Sequence, residues 1–298
     1  MQDLYPQRYG YIGFPKKMTE SGQISVKNGV DFLDLILRSV DYNSKLGLNI
    51  LCIDTSEFKD LSFLDSFEFD EENPKVSSLI DKINSIAKKK NFRICFFISK
   101  EYFIASNLDG IPEKTSFYLE RISLFLDLLG QRGRSILVRI GSAYGNRKAT
   151  LGIFNERLSA LSNNCSKKIV VVNDEKPSLF SITDLISGCY YESQTPVCFR
   201  FLSHFFNDGG LNVREAFFLS CSTWKFGSNP IIIHGEPEET DESGFPLTSK
   251  TSLYITRRIP TFGLSPDILI DSAEKENACV KYMSDVNKLK PIVINRKK

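Results

Sequence analysis

The chain has 298 residues, 42% of them hydrophobic, and its 38 Lys and Arg against 36 Asp and Glu give a formal net charge of +2. This is enough apolar material for one large core, and the near-neutral charge excludes a protein that binds nucleic acid by bulk basicity alone. No apolar run approaches the ~18–20 residues that span a bilayer, and the start, MQDLYPQRYG, is not a signal peptide. We therefore expect an intracellular protein, nuclear if its source is eukaryotic, with its seven cysteines reduced.

Short apolar runs rich in β-branched and aromatic residues recur along the chain, and amphipathic helical patterns separate most of them. The predicted strands cover 8–14, 49–56, 92–99, 135–141, 168–174, 196–204, 230–236 and 267–273. The runs lack alternation, so they indicate strands buried on both faces, as in a parallel sheet. The seventh unit is the weak one, because the polar stretch PEETDESGFPLTSKTS largely replaces its helix.

Eight strands, each followed by a connecting segment, predict a (β/α)8 TIM barrel. We expect one domain over 1–286 and a basic, flexible tail over 287–298. A doubly wound open sheet is the alternative. No Gly-rich phosphate loop supports it, because NDGGLN is a lone turn and not a GxGxxG motif.

Chemistry in a TIM barrel is carried by the C-terminal ends of the strands. Those ends carry polar side chains of both charge signs. They are Asp54, Lys100, Glu101, Arg139, Asn173, Asp174, Arg200, His204, His234, Glu236 and Asp271. The fourth predicted strand, SILVRIG, is otherwise apolar, so its arginine is expected to point into the barrel mouth.

Seven segments, in this order and spacing, resemble the UV damage endonucleases, DNA-repair barrels related to endonuclease IV and xylose isomerase. They are LDLILRSVDYNSKLGLNILCIDTSEF, AKKKNFRICFFISKEYFIAS, ILVRIGSAYGNRKATLGIFNERL, IVVVNDEKPSLFSITDL, PVCFRFLSHFFNDGG, IIIHGE and ILIDSAEKENA. The resemblance covers nearly the whole chain and implies a xylose isomerase-like barrel. It also implies a ring of His, Asp and Glu that holds divalent metals at the strand ends.

Most of the metal-ligand positions that the resemblance implies carry other residues here. The substituted positions are Phe63, Phe97, Arg139, Val172, Arg200, Ser203, Ile232 and Thr251, and the residual ligand positions are His234 and Asp271. A catalytic metal needs about three protein ligands, hydrocarbon side chains cannot ligate, and guanidinium groups repel a cation. We therefore expect no cofactor, with a single divalent metal (Mn or Zn) as the alternative.

The two strand-end arginines have two interpretations. As structural replacements for the metals, Arg139 and Arg200 pair with Asp174, Asp271 or Glu236, since unpaired buried charge is costly. As functional groups, they bind an anion such as a DNA phosphate.

The same resemblance matches Tyr11 to a pocket tyrosine and places Lys100 at a lesion-probing position. Tyr102 follows in the same loop, where an aromatic ring can stack on a base. The candidate DNA-binding residues are therefore Tyr11, Lys100, Tyr102, Arg139 and Arg200. Acidic loops at 65–75 and 236–244 oppose duplex phosphates, and the second is a candidate surface for a protein partner.

These observations leave three functions open. The first is a DNA- or partner-binding pseudo-enzyme of the UV damage endonuclease type, related to DNA repair and without metal-dependent nicking. The second is an active repair endonuclease that nicks at UV lesions or abasic sites with a reduced metal site. Its catalytic candidates are Asp54, Asp174, His234, Glu236 and Asp271. The third is a protein-interaction scaffold that does not contact DNA.

Overall fold

Eight parallel strands form one sheet in the order β1-β8-β7-β6-β5-β4-β3-β2. This computed structural model describes residues 7–20, 22–65, 73–225, 228–242 and 244–291. The strands are β1 Tyr9–Tyr11, β2 Ile50–Asp54, β3 Arg93–Phe97, β4 Ile136–Val138, β5 Ile169–Val172, β6 Val197–Arg200, β7 Ile231–His234 and β8 Asp267–Ile270. A parallel bridge between Ile12 and Cys52 brings the first and second strands together. The predicted (β/α)8 barrel is confirmed, and the open doubly wound sheet is not formed.

Helices follow the strands and surround the barrel. They are α1 Lys16–Thr19, α2 Gly29–Lys45, α3 Pro74–Lys89, α4 Ile111–Leu128, α5 Arg147–Ala160, α6 Asn163–Ser166, α7 Ile182–Leu185, α8 Tyr191–Ser193, α9 Phe201–Phe206, α10 Val213–Ser222 and α11 Lys275–Asp285. Polar side chains cap several of their starts: the side chain of Asn146 accepts from the backbone N–H of Ala149, and Asn212 with Glu215 forms a capping box. None of the helices among these residues is long and apolar enough to cross a membrane.

The strands separate two hydrophobic clusters because their side chains alternate between the barrel interior and the helix layer. The interior cluster consists of Ile50, Cys52, Cys95, Phe97, Leu137, Val170, Val172, Cys198, Trp224, Ile231, Ile233 and Leu269. The outer cluster joins the strands to the helices, as where Phe32 of α2 packs 4.9 Å from Phe125 of α4. Only every second residue of a strand therefore points into the barrel, and these are the residues whose side chains can reach the mouth.

An ion-pair network closes the N-terminal end of the barrel. Asp267, fully buried, accepts hydrogen bonds from Arg93 at 2.6 Å and Arg8 at 2.8 Å, and Asn229 donates to its other oxygen at 3.1 Å. Arg93 also lies over the Trp224 ring, 5.6 Å from its centroid. A ligand of the barrel interior therefore has to enter from the opposite end, the C-terminal mouth.

Two segments differ from simple β/α repeats. The predicted strand 196–204 ends at Arg200, and α9 occupies its second half, because the Asn173 side chain bonds both backbone polar groups of Arg200. In the described parts of 235–266, between β7 and β8, no helix forms, as the polar sequence predicted. Part of the predicted tail packs on this loop, since Arg258 N–H donates to the Lys290 carbonyl at 2.8 Å. The remainder of that tail, 292–298, lies outside the described residues, as does most of the acidic stretch 65–75.

Candidate functional site

The C-terminal mouth of the barrel encloses a cavity of about 260 Å³. Side chains from the ends of six strands and the loops that follow them line it. They are Ile12, Asp54, Ser56, Phe97, Ser99, Lys100, Glu101, Arg139, Arg200 and Asp271. Each charged member of this set comes from the end of a strand or from the loop directly after it. The cavity therefore lies where TIM barrels place their chemistry.

Arg200 is the central cation of the mouth, and both of its Nη atoms donate to protein partners. Its Nη2 donates to Asp271 Oδ2 at 2.8 Å and its Nη1 donates to Glu175 Oε2 at 3.2 Å, with a longer bond to Ser203. Burial alone would lower the pKa of Arg200, but the Asp271 carboxylate and then Glu175 outweigh burial, so the pKa is raised. Arg200, at the end of β6, is thus a permanent cation that neutralises one acid after β5 and one after β8.

Arg139 lies beside Arg200 but is held differently. Its Nε is 3.9 Å from Asp174 Oδ1, and its guanidinium lies over the Phe97 ring, 5.4 Å from the centroid. Burial and the neighbouring Arg200 charge lower its pKa, opposed by the Asp174 carboxylate. This guanidinium remains charged in a partly desolvated position.

Two acids at the mouth have raised pKa values because the protein removes them from water. Burial raises the pKa of Asp174 to about 6, although Arg139 acts in the opposite direction. Burial also raises the pKa of Asp54, whose carboxylate accepts from the backbone N–H of Ser56 at 2.9 Å. The mouth therefore combines fixed cations with carboxyl groups that are costly to ionise.

Two of the predicted site residues face the helix layer. His234 shares the outer face of β7 with Ile232, and its ring packs 5.0 Å from Phe201 of α9. Burial lowers the pKa of His234 to about 4, so the imidazole is neutral. Tyr11 is 1% exposed, and its hydroxyl donates to Asn43 of α2 at 2.7 Å. Neither side chain lines the mouth cavity.

His204 is buried on α9, with its ring 5.3 Å from that of Phe199. Three other predicted residues occupy the rim or the loops above it. Glu236 accepts hydrogen bonds from the backbone N–H groups of Thr256 and Arg257, at 2.9 and 2.6 Å. It thereby connects two parts of the long loop between β7 and β8 (235–266), the seventh loop. Tyr102 packs edge-on against Tyr118 of α4, with 5.3 Å between ring centroids. Lys100 is exposed and lines the cavity.

Glu175 belongs to this site although the sequence did not single it out. It directly follows the predicted candidate Asp174, and its carboxylate is the second partner of Arg200. Three consecutive polar residues, NDE, at the end of a buried apolar strand are the signal that points to it. Asp271 and Arg200, by contrast, are brought together as the pairing hypothesis predicted.

The residues at the mouth do not fit a divalent metal. Asp271 and Glu175 share Arg200, His234 faces away, and Phe97 and Val172 present hydrocarbon to the interior. Within the described ranges, no group of three or more His, Cys, Asp or Glu is arranged to hold a metal ion. A divalent cation here would have to displace a guanidinium from two carboxylates and remain beside a second guanidinium.

An eight-stranded parallel barrel with its charged cavity at the C-terminal mouth defines the class of (β/α)8 TIM barrels. Solved structures of that kind superpose on this chain. Endonuclease IV from Thermus thermophilus matches with a TM-score of 0.60 and 10% identity, covering 94% of this chain and 99% of that chain. SacUVDE matches with a TM-score of 0.77 and 22% identity, covering 95% of this chain and 100% of that chain.

Sequence comparison narrows the class to a family. The model of the family "UV-endonuclease UvdE" matches residues 18–297, so the chain belongs to the UV-endonuclease UvdE family. The UV DNA damage endonuclease of Clostridium perfringens (strain 13 / Type A) is 22% identical over 277 residues. That match covers 88% of this chain and 64% of the Clostridium protein.

Proposed function

We propose that this chain is a DNA-repair barrel that binds damaged duplex DNA at its mouth and has no metal-dependent nicking activity. Membership of the UV-endonuclease UvdE family supports DNA as the partner. One observation carries the proposed loss of nicking: Arg200 bridges Asp271 and Glu175, at 2.8 and 3.2 Å, at the centre of the mouth. This ion-pair bridge occupies Asp271, a residual ligand position, together with the nearby Glu175, so neither carboxylate is free for a metal. We also propose that the protein acts inside the cell, where genomic DNA lies.

The active-endonuclease alternative has less support from the geometry. It would draw its ligands from Asp54, Asp174, His234, Glu236 and Asp271. His234 packs against Phe201 in the helix layer, and Glu236 holds the backbone of the seventh loop. Two of its five candidates would have to leave these positions before all five could meet.

The scaffold alternative depends on the acidic loop 236–244. Residues 237–242 of that loop are half-buried or exposed, and exposed Phe245 continues its surface. Acidic side chains there disfavour a duplex laid across the seventh loop, so we propose that DNA approaches from the side of Lys100.

A binding and nicking experiment tests this proposal. We expect UV-irradiated duplex to bind with an affinity that falls steeply as salt rises, because phosphate contacts release counterions. No nicks should accumulate with Mn²⁺ or with a chelator, whereas the Clostridium UV DNA damage endonuclease serves as the positive control for nicking. Metal-dependent nicking by the purified chain would support the active-enzyme alternative instead. Absence of binding even at low salt would leave only the scaffold.

A further inference from the structure

The Arg139 guanidinium has hydrogen-bond donors that the protein does not use. Within the described residues its Nε is buried without a partner, and the 3.9 Å separation from Asp174 Oδ1 is too long for a hydrogen bond. Leaving the donors of a desolvated cation unpaired costs free energy. A ligand that offers several acceptor oxygens would relieve that cost.

Arg139 differs in this respect from its neighbour Arg200. Both side chains line the same cavity, but the Nη atoms of Arg200 already donate to Asp271, Glu175 and Ser203. Arg200 can add charge to the cavity but has few donors left for a ligand. The free donors of the pair therefore belong to Arg139.

Ser99 provides a second, independent indication of a ligand. The residue is only 7% exposed, it lines the cavity, and its Oγ is buried without a hydrogen-bond partner in the described chain. Lys100, the next residue, is exposed at the edge of the same cavity. The cavity volume of about 260 Å³ is several times the ~30 Å³ that one water molecule occupies in the liquid.

The acids around the cavity leave room for an anion because most of them have partners. Asp271 is bonded to Arg200, and Asp54 accepts the Ser56 backbone N–H. Glu101 is exposed at the rim, where water and salt screen its charge. Among the described residues that line the cavity, Arg139 and Lys100 remain as the cations without a carboxylate in hydrogen-bond contact.

We propose that Arg139, with Ser99 and Lys100, forms a binding site for one phosphate group. The planar guanidinium presents paired donors to phosphate oxygens, the serine hydroxyl supplies a third, and the lysine adds charge at the entrance. That this phosphate group belongs to a phosphodiester of DNA rests on the proposed function. The alternative ligand for the same site is inorganic phosphate.

The first experiment titrates inorganic phosphate into the full chain and follows the arginine Nε–H signals by nuclear magnetic resonance. We expect a saturable shift of one signal that is missing in Arg139→Gln and unchanged in Arg132→Gln. Arg132 is an exposed arginine that precedes β4 at the opposite end of the barrel, so its substitution makes the same change of charge away from the mouth. No response of the Arg139 signal to phosphate would overturn the site.

The second experiment measures binding of a UV-irradiated duplex by the same variants. Loss of charge-assisted hydrogen bonds should weaken binding by Arg139→Gln about tenfold, and Arg132→Gln should bind like the unsubstituted chain. Arg139→Lys keeps the charge but loses the paired donors, so we expect an intermediate affinity. It also serves as the second variant if Arg139→Gln fails to fold.

The two experiments separate the phosphate site from the proposed function. If phosphate shifts Arg139 but no duplex binds, the phosphate site stands and DNA binding is rejected. If duplex binds equally well to Arg139→Gln and to the unsubstituted chain, DNA binding stands and the assignment of Arg139 to a DNA phosphate is overturned.

Discussion

At the scale of single residues, the alternation of side chains along each strand decides which of the predicted residues reach the mouth. Ile231 and Ile233 face the barrel interior, so the next residue, His234, must face the helices. Counting alternate positions from an apolar strand could have shown this. The Arg200–Asp271 pair was predictable from the strand ends, but the distances that distinguish Arg200 from Arg139 were not, because they depend on side-chain packing.

Asp174 provides a test of the electrostatics of the mouth. Burial raises the pKa of Asp174 in the folded protein to about 6. The stability that this group contributes is therefore fully present below the ordinary pKa of an aspartate and is lost as the pH rises through 6. Asp174→Asn mimics the protonated acid. We expect it to raise the free energy of unfolding by about 2–3 kcal/mol at pH 7.5, with little effect at pH 4.

Urea unfolding at the two pH values measures this difference. Asp34→Asn is the matched control, because Asp34 is half-exposed on α2 and pairs with Arg38 at the surface. Equal effects of Asp174→Asn at both pH values would contradict the account of the buried acid.

At the scale of elements, the sequence predicts the strands well and the loops poorly. Hydrophobic runs locate all eight strands, because burial on both faces requires them to be apolar. The end of β6 was placed too late, since FLSHFF continues the apolar run while Asn173 ends the pairing at Arg200. The Glu236 carboxylate holds the backbone of Thr256 and Arg257 in the loop between β7 and β8, and nothing in the local sequence identifies that role.

The clamp formed by Glu236 is testable by hydrogen exchange. Glu236→Ala removes the acceptor of the Thr256 and Arg257 backbone N–H groups. We expect those two amides to exchange at least about tenfold faster, since a lost charge-assisted hydrogen bond lowers the local opening free energy. The amides of β7 should be unaffected.

Glu238→Ala controls for the loss of one acid from the same loop. The backbone N–H of Glu238 bonds to the Lys250 carbonyl, and this contact survives the substitution. If Glu238→Ala and Glu236→Ala accelerated exchange equally, the clamp would be a general effect of charge and not a specific contact.

At the scale of the whole molecule, the barrel fold is shared with a protein of low sequence identity. The barrel superposes on SacUVDE with a TM-score of 0.77 at 22% identity, because many apolar sequences satisfy the same alternation and layering. The mouth is less tolerant, since a buried charge needs a partner, either in the protein or in a ligand. Pairing of Arg200 with Asp271 and Glu175 satisfies that requirement with protein groups alone.

The metal content of the purified chain tests this account most directly. The protein would be equilibrated with Mn²⁺ and Zn²⁺, passed through a desalting column and measured by elemental analysis, with the Clostridium UV DNA damage endonuclease treated in parallel. We predict far less than one equivalent of either metal, because Arg200 already neutralises Asp271 and Glu175 at the mouth. One or more equivalents bound per chain, lost on substitution of Asp271, would contradict the account.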